Sequence, residues 1–186
     1  HPGAMFDVFV RVGGAAGAAA ATADSSSSST SSSHRSNYHV AAMMRIHSGH
    51  VIGDNVCLRR ADHAALGPNE TANYPHISNK YWQTEADEYV TRRGLEVTGN
   101  DVTMYGLAVE HATEDQTVWT GDRGTVLFYQ CEFPYCVTSA FADAEYRGYR
   151  IGNDVTEHTL VAPGIYSNFR HAAVHVRTAI QHPPNQ

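Results

Sequence analysis

A short turn signature recurs along this chain and limits its fold more than any other feature. It reads Gly53-Asp54-Asn55-Val56, Gly99-Asn100-Asp101-Val102 and Gly152-Asn153-Asp154-Val155, with a degenerate copy at Gly121-Asp122-Arg123-Gly124-Thr125-Val126. Gly, Asn and Asp are turn formers because they tolerate left-handed backbone or bond their own main chain. Three copies lead into β-prone runs: Val56-Cys57-Leu58-Arg59, Val102-Thr103-Met104-Tyr105 and Val126-Leu127-Phe128-Tyr129. The intervals are 99 − 53 = 46, 121 − 99 = 22 and 152 − 121 = 31 residues. A unit of about 22 residues, with insertions, accommodates them. Strand-and-turn repeats of that length stack into solenoids or propellers. No amphipathic helix of ten or more residues stands out, which disfavours an α/β wrap. The expected fold is therefore all-β, a right-handed parallel β-helix of which this chain is a part. A β-sandwich is the alternative.

The chain divides into three stretches. Residues 1–14 carry a first strand around Phe6-Asp7-Val8-Phe9-Val10. Residues 15–37 form a low-complexity insertion: from Ala15 to Ser33 nearly every residue is Ala, Gly, Ser or Thr, and such a stretch buries too little apolar area to offset its ordering entropy. Residues 38–186 supply the remaining coils, with a long loop at 66–93 that contains Pro68, Pro75 and three asparagines. A strand this close to His1, with no charged and then apolar leader before it, suggests a piece of a longer protein.

Charge and cysteine content remove several function classes. Twelve Arg and one Lys against 19 acids leave a net charge of −6. The basic residues are scattered, so no stripe exists to neutralise a phosphate backbone, and nucleic acid is not an expected partner. No apolar run reaches the roughly 18 residues that span a bilayer. There is no G-x-S-x-G, P-loop or G-x-G-x-x-G motif. No His or Cys spacing closes a metal site, and no cofactor is expected. Cys131 and Cys136 flank a turn short enough for a local disulfide that would leave Cys57 unpaired; three buried thiols are the equal alternative. Asn69-Glu70-Thr71 is a glycosylation sequon, of consequence only in a secreted chain.

The stretch from Gly94 to His111 (GLEVTGNDVTMYGLAVEH) resembles the C-terminal coils of pectate-lyase-like β-helix proteins related to β-1,3-glucanase-type glycoside hydrolases. Similar matches are Asp54-Asn55-Val56, Arg60-Ala61-Asp62-His63, Phe128-Tyr129-Gln130 with Phe133-Pro134-Tyr135, Gly148-Tyr149 and Ile165-Tyr166-Ser167-Asn168-Phe169. The resemblance covers most of residues 44–182. Cys57 stands where the relatives usually carry an aromatic, and Cys131 and Cys136 are particular to this chain. The resemblance implies a polysaccharide partner and an extracellular or cell-surface setting.

Candidate chemistry follows from strand parity. Asp62 lies 62 − 56 = 6 residues beyond Val56, Glu110 lies 110 − 102 = 8 beyond Val102, and Glu132 lies 132 − 126 = 6 beyond Val126. Even offsets place side chains on one face of an unbulged strand, and stacked coils about 4.8 Å apart bring such acids together. Neighbouring coils suit a retaining glycosidase pair, and two coils apart suits an inverting one. The alternative is that these acids cap turns or face water, and bulges easily break the parity. His63 and His111, each following one of these acids, are candidate substrate-binding residues or proton shuttles, against the alternative that they cap turns or pack in the core. Adjacent strand residues point to opposite faces, so neither acid–His pair acts together without a bend. Tyr81, Trp82 and Trp119 are candidate sugar platforms, against the alternative that they plug the solenoid core. Two functions follow. One is a glycoside hydrolase on β-linked glucan that uses a pair from Asp62, Glu110 and Glu132. The other is a non-catalytic structural or adhesive subunit, whose open coil ends would be covered by the rest of its chain or by another protein.

Overall fold

The computed structural model describes residues 2–14, 39–65, 81–170 and 172–184. The insertion expected at 15–37 and the sequon at Asn69 fall outside the described residues. Strands alternate between two parallel sheets. The first holds β1 (Gly3–Val12), β3 (Val51–Arg60), β7 (Thr103–Glu110), β9 (Gly124–Glu132) and β11 (His158–Tyr166), stacked in that order. The second stacks β2 (Val40–Ile46), β6 (Thr91–Val97), β8 (Thr117–Trp119), β10 (Tyr149–Ile151) and β12 (Ile180–Gln181). One strand from each sheet makes one coil, the arrangement of a parallel β-helix. A small antiparallel pair, β4 (His63–Ala65) with β5 (Tyr81–Gln83), and a five-residue helix α1 (Ser139–Asp143) sit outside the coils. Of the loop expected at 66–93, residues 66–80 lie outside the described residues, while β5 and the first three residues of β6 fall within its bounds, Thr91 and Arg93 pairing with Val40 and Ala42.

Inward-facing residues form rows that run through the coils. Val8, Val56, Leu107 and Tyr129 make one, and Val10, Leu58, Val109 and Cys131 another. They close with Leu95, Val97, Trp119, Tyr149 and Ile151 from the second sheet into a single core. Like residues stacked on like residues are the packing a solenoid requires, since each coil can bury its apolar side only against its neighbours.

The turn signature occupies two different places. Asp101 and Arg123 (φ 57° and 52°) form the left-handed corner that leads into β7 and β9, where register pairs Thr103 with Thr125 and so Gly99 with Gly121, 22 residues apart. The interval of one minimal coil is therefore as expected. Gly53-Asp54-Asn55-Val56 is out of phase with it. Its Gly53 pairs with Met104, and the corner residue that stacks on Asp101 is His50, whose amide donates to the Asn100 carbonyl. Asn55 instead belongs to a second left-handed row in mid-strand: Asp7, Asn55, Gly106, Phe128 and Ala162, with φ between 52° and 65°. Register skips these five residues in every pairing of the sheet. Each is a bulge-like kink shared by all five strands, so that register is the same on either side of it while the side-chain alternation is reset. Asn55 donates its side-chain amide to the Asp7 carboxylate at 2.7 Å along this row.

Candidate functional site

The bulge row changes the parity argument. Beyond it, register aligns Arg11, Arg59, Glu110, Glu132 and Tyr166 across the five strands of the first sheet. Glu110 and Glu132 therefore sit side by side on neighbouring coils. Asp62 does not belong to that row. It lies past the end of β3, three residues beyond Arg59, the position that aligns with Glu110, because Val56 stands in register with Leu107 and Tyr129 and not with Val102 or Val126.

Chain bends bring both acid–His pairs together after all. His111 follows β7 in a left-handed conformation (φ 63°), so its ring folds back beside Glu110 and Glu132. One ligand-type atom from each of the three lies within 4.8 Å of the others. His111 is 2% exposed, its Nδ1 has no hydrogen-bond partner, and its Nε2 stands 3.8 Å from Glu132 Oε2. Burial pushes its pKa down to about 4, so the ring is neutral at ordinary pH. In the other pair, His63 Nδ1 is 2.9 Å from Asp62 Oδ1. Burial alone would raise the Asp62 carboxyl; the His63 hydrogen bond and the nearby histidine charges outweigh it and hold the group below its ordinary value.

Neighbouring side chains give the two glutamates different surroundings. Glu110 is 5% exposed and spends Oε2 on Arg59. Glu132 is the more accessible and has Tyr135 against it. Burial, then the hydrogen bond to Glu132, pushes the Tyr135 phenol up to about 12, so it acts as a donor to the carboxylate. Tyr135 is positioned by the His111 ring edge at 4.8 Å and by the Arg170 guanidinium 4.1 Å over its face. Its carbonyl also accepts the Arg170 amide at 2.9 Å. Glu110, His111 and Glu132 have the donor types of a divalent-cation site, but Arg59 competes for the Glu110 oxygens.

The remaining candidates separate. Trp119 is not a sugar platform. It is 0% exposed, stacked on Tyr149 at 6.3 Å, because β8 points it into the core between the sheets. Tyr81 and Trp82 lie in β5, where Trp82 pairs with Ala64; their side chains are outside the described set. No disulfide joins Cys131 to Cys136, so the local bridge is not formed and Cys57 is likewise a thiol. Strand counting had no means of finding Arg59, Tyr135 or Arg170. Only register reveals Arg59, and the other two come from turns that fold back over the row. Arg60, one residue on, is buried and donates to the carbonyls of Glu85 and Glu88, so the loop before β6 is tied to the end of β3.

Residues 1–132 match the model of the LAM55 pectate lyase-like domain. Among curated proteins, an exo-beta-1,3-glucanase of Streptomyces sp. (strain SirexAA-E / ActE) is 27% identical over 175 residues, which cover 91% of this chain and 23% of that protein. The chain thus spans about a quarter of that relative's length. Two solved structures share the fold. A variant of sacteLam55A from Streptomyces sp. SirexAA-E in complex with glucose superposes with a TM-score of 0.71 at 22% identity, covering 98% of this chain and 27% of that one. A further structure of sacteLam55A gives 0.62 at 23% identity, covering 89% and 24%.

Proposed function

Since the chain belongs to the LAM55 pectate lyase-like domain family, we propose that it is the β-helix of a secreted glycoside hydrolase that cleaves β-1,3-linked glucan with carboxylates of its first sheet. The observation that carries this is the convergence of Glu110, His111 and Glu132 within 4.8 Å on the outer side of the sheet. The exo-beta-1,3-glucanase relative supports the substrate class.

Roles follow from access and hydrogen bonding. Glu132 reaches solvent while Glu110 is held by Arg59, so Glu132 is the group placed to protonate the leaving glycosidic oxygen, with Tyr135 orienting its carboxyl group. Glu110 is buried against Arg59, which leaves it poorly placed to attack an anomeric carbon. Asp62 is the better base: it stays ionised beside His63 and sits two coils from Glu132. Asp62 lies off the stacked row of glutamates, but its charge acts on both His111 and Tyr135, the two rings beside Glu132, and an acid and a base set apart in this way leave room for a water between them. In this reading Asp62 takes the proton of the attacking water as Glu132 gives its own to the leaving sugar. Arg59 and Glu110 keep the floor of the site charged and rigid.

Glu132→Gln and Asp62→Asn should each lower hydrolysis of β-1,3-glucan by roughly 10²–10⁴-fold, and proton NMR of the first product should show an inverted anomeric centre. Full activity in either variant would sink the role assignment. A retained configuration would replace the base Asp62 by a carboxylate nucleophile, Glu110, which would form a glycosyl-enzyme that water then hydrolyses.

A further inference from the structure

The mid-strand bulge row contains one residue that does not suit it. Left-handed backbone is tolerated by Gly, Asn and Asp, and four of the five positions hold Asp7, Asn55, Gly106 and the small Ala162. The fifth holds Phe128 at φ 65°, a bulky side chain in a conformation that disfavours it. Nothing in the core repays the strain, because the ring is 64% exposed. Strain without packing benefit is characteristic of functional positions.

The surroundings of Phe128 point to what the ring does. Its bulge neighbours on the adjacent coils are Gly106 and Ala162, so both flanks are low. A Cβ built on Gly106 would meet nothing nearer than Asn55 backbone at 4.0 Å, so open space lies above it. Tyr105, 45% exposed, stands on β7 next to that notch, paired with Leu127. On β9 itself Phe128, Gln130 and Glu132 all face outward, the residues between them being buried. Four residues of strand separate the ring from the carboxylate, about 13 Å, within reach of a short oligosaccharide.

We propose that Phe128, with Tyr105 beside it across the Gly106 notch, is a stacking subsite for the pyranose rings of a β-linked glucan whose scissile bond reaches Glu132. This rests on the hydrolase reading and deepens it. A sugar presents a C–H face to an aromatic plane and hydroxyls at its rim, which Gln130 and water can bond. Phe128 does not touch the reacting atoms, so it positions substrate and takes no part in bond cleavage.

The test is Phe128→Gly and Phe128→Trp in the full-length protein. It measures retardation on gels containing soluble β-1,3-glucan, thermal unfolding, and kcat against KM. Phe128→Gly should weaken glucan affinity roughly three- to tenfold, the loss expected for one stacked ring. KM should rise with kcat nearly unchanged, and Tm should stay constant or rise by up to about 4 °C as the strain is relieved. Phe128→Trp should keep affinity. Wild-type retardation by Phe128→Gly, or a Tm lowered by several degrees, would overturn the subsite and make the ring a packing element. The gel needs no turnover, so a failed subsite is separable from a failed hydrolase: if Glu132→Gln stays fully active while Phe128→Gly loses retardation, the subsite stands and the acid assignment falls.

Discussion

Acid should loosen the core of this solenoid at His158. The ring lies edge-to-face on Trp119 at 5.0 Å, and its Nε2 is 2.9 Å from the Tyr149 hydroxyl, while Nδ1 has no partner. Burial pushes its pKa from 6.5 down to about 4. Between those two values the unfolded chain binds a proton at this position and the folded chain does not. Stability therefore rises with pH across that window and is lost as pH falls through it, with no further loss below about 4. A gap from 6.5 to about 4 corresponds to at most ~3 kcal/mol, and partial access to water brings the expected figure nearer 2. His158→Gln keeps an atom for the Tyr149 hydroxyl but cannot charge. Urea unfolding at pH 7 should show the variant less stable than wild type by about 1 kcal/mol, the cost of an imperfect hydrogen bond. At about pH 4 the difference should close or reverse, moving by about 2 kcal/mol in favour of the variant. Other titrating groups, His111 included, are common to both proteins and cancel in the difference. The same stability gap at both pH values would refute a buried neutral His158.

Three further outcomes are expected from single positions. Gly121→Ala should cost about 2–4 kcal/mol by urea midpoint, since its Cβ would fall inside contact distance of the Gly99 carbonyl, which is backbone and cannot turn aside. Gly106→Ala meets no such obstacle and should cost only about 1 kcal/mol, the penalty of a left-handed L-residue. Equal costs at the two sites would mean that coil contact is not what requires glycine at the corner. Titration of the denatured, unreduced chain should find three thiols, because no disulfide joins Cys57, Cys131 and Cys136; one thiol would establish a bridge. In the native chain at mildly alkaline pH, burial raises all three above the ordinary thiol range, so labelling should be slow, and slowest at Cys131.

The sequence made the fold legible because a solenoid repeats its chemistry. Gly99 and Gly121 mark successive corners, and the residues between them are the shortest coil, with no insertion. What sequence spacing hides is phase. Gly53-Asp54-Asn55-Val56 has the composition of a corner but lies within β3, because the fold uses left-handed backbone twice per coil, once at a corner (His50, Asp101, Arg123) and once in mid-strand (Asn55, Gly106, Phe128). The same ambiguity governs the site. Glu110 and Glu132 stand 8 and 6 residues from their reference valines, yet they are register partners, since Val102 aligns with Gly124 and not with Val126. Asp62 has the offset of Glu132 and a different place. Trp119 looked like a platform because an indole beside a turn has no visible orientation; its neighbours in β8, Thr117 buried and Val118 partly exposed, show that the strand points it inward.

The two sides of the coil have diverged in a way that accounts for where the site is. Connections from the second sheet to the first are brief: 47–50, 98–102, 120–123 and 152–157. Gly99 lies against the Ser48 backbone on the neighbouring coil, and the Asp122 carboxylate accepts the amides of Thr156 and Glu157 on the next. A side chain or an extra loop added there would separate the coils. Connections from the first sheet to the second carry the length: 13–39, 61–90, 133–148 and 167–179. Only 111–116 stays short, and it is held by Gln116, which bonds both the amide and the carbonyl of Ala112. The long connections on either side of it deliver Asp62 with His63, Tyr135 and Arg170 around the exposed end of β7 and β9. The tight corners keep those two strands in register. Glutamates at the ends of register-locked strands, surrounded by side chains from variable loops, have the rigid first layer and adaptable second layer that a binding site needs. On the hydrolase reading proposed above, an insertion into 111–116 should abolish glucan turnover while leaving the coils folded, and one into 120–123 should unfold the protein. Circular dichroism and activity on the two insertion variants decide between this division of labour and a site that tolerates change on both sides.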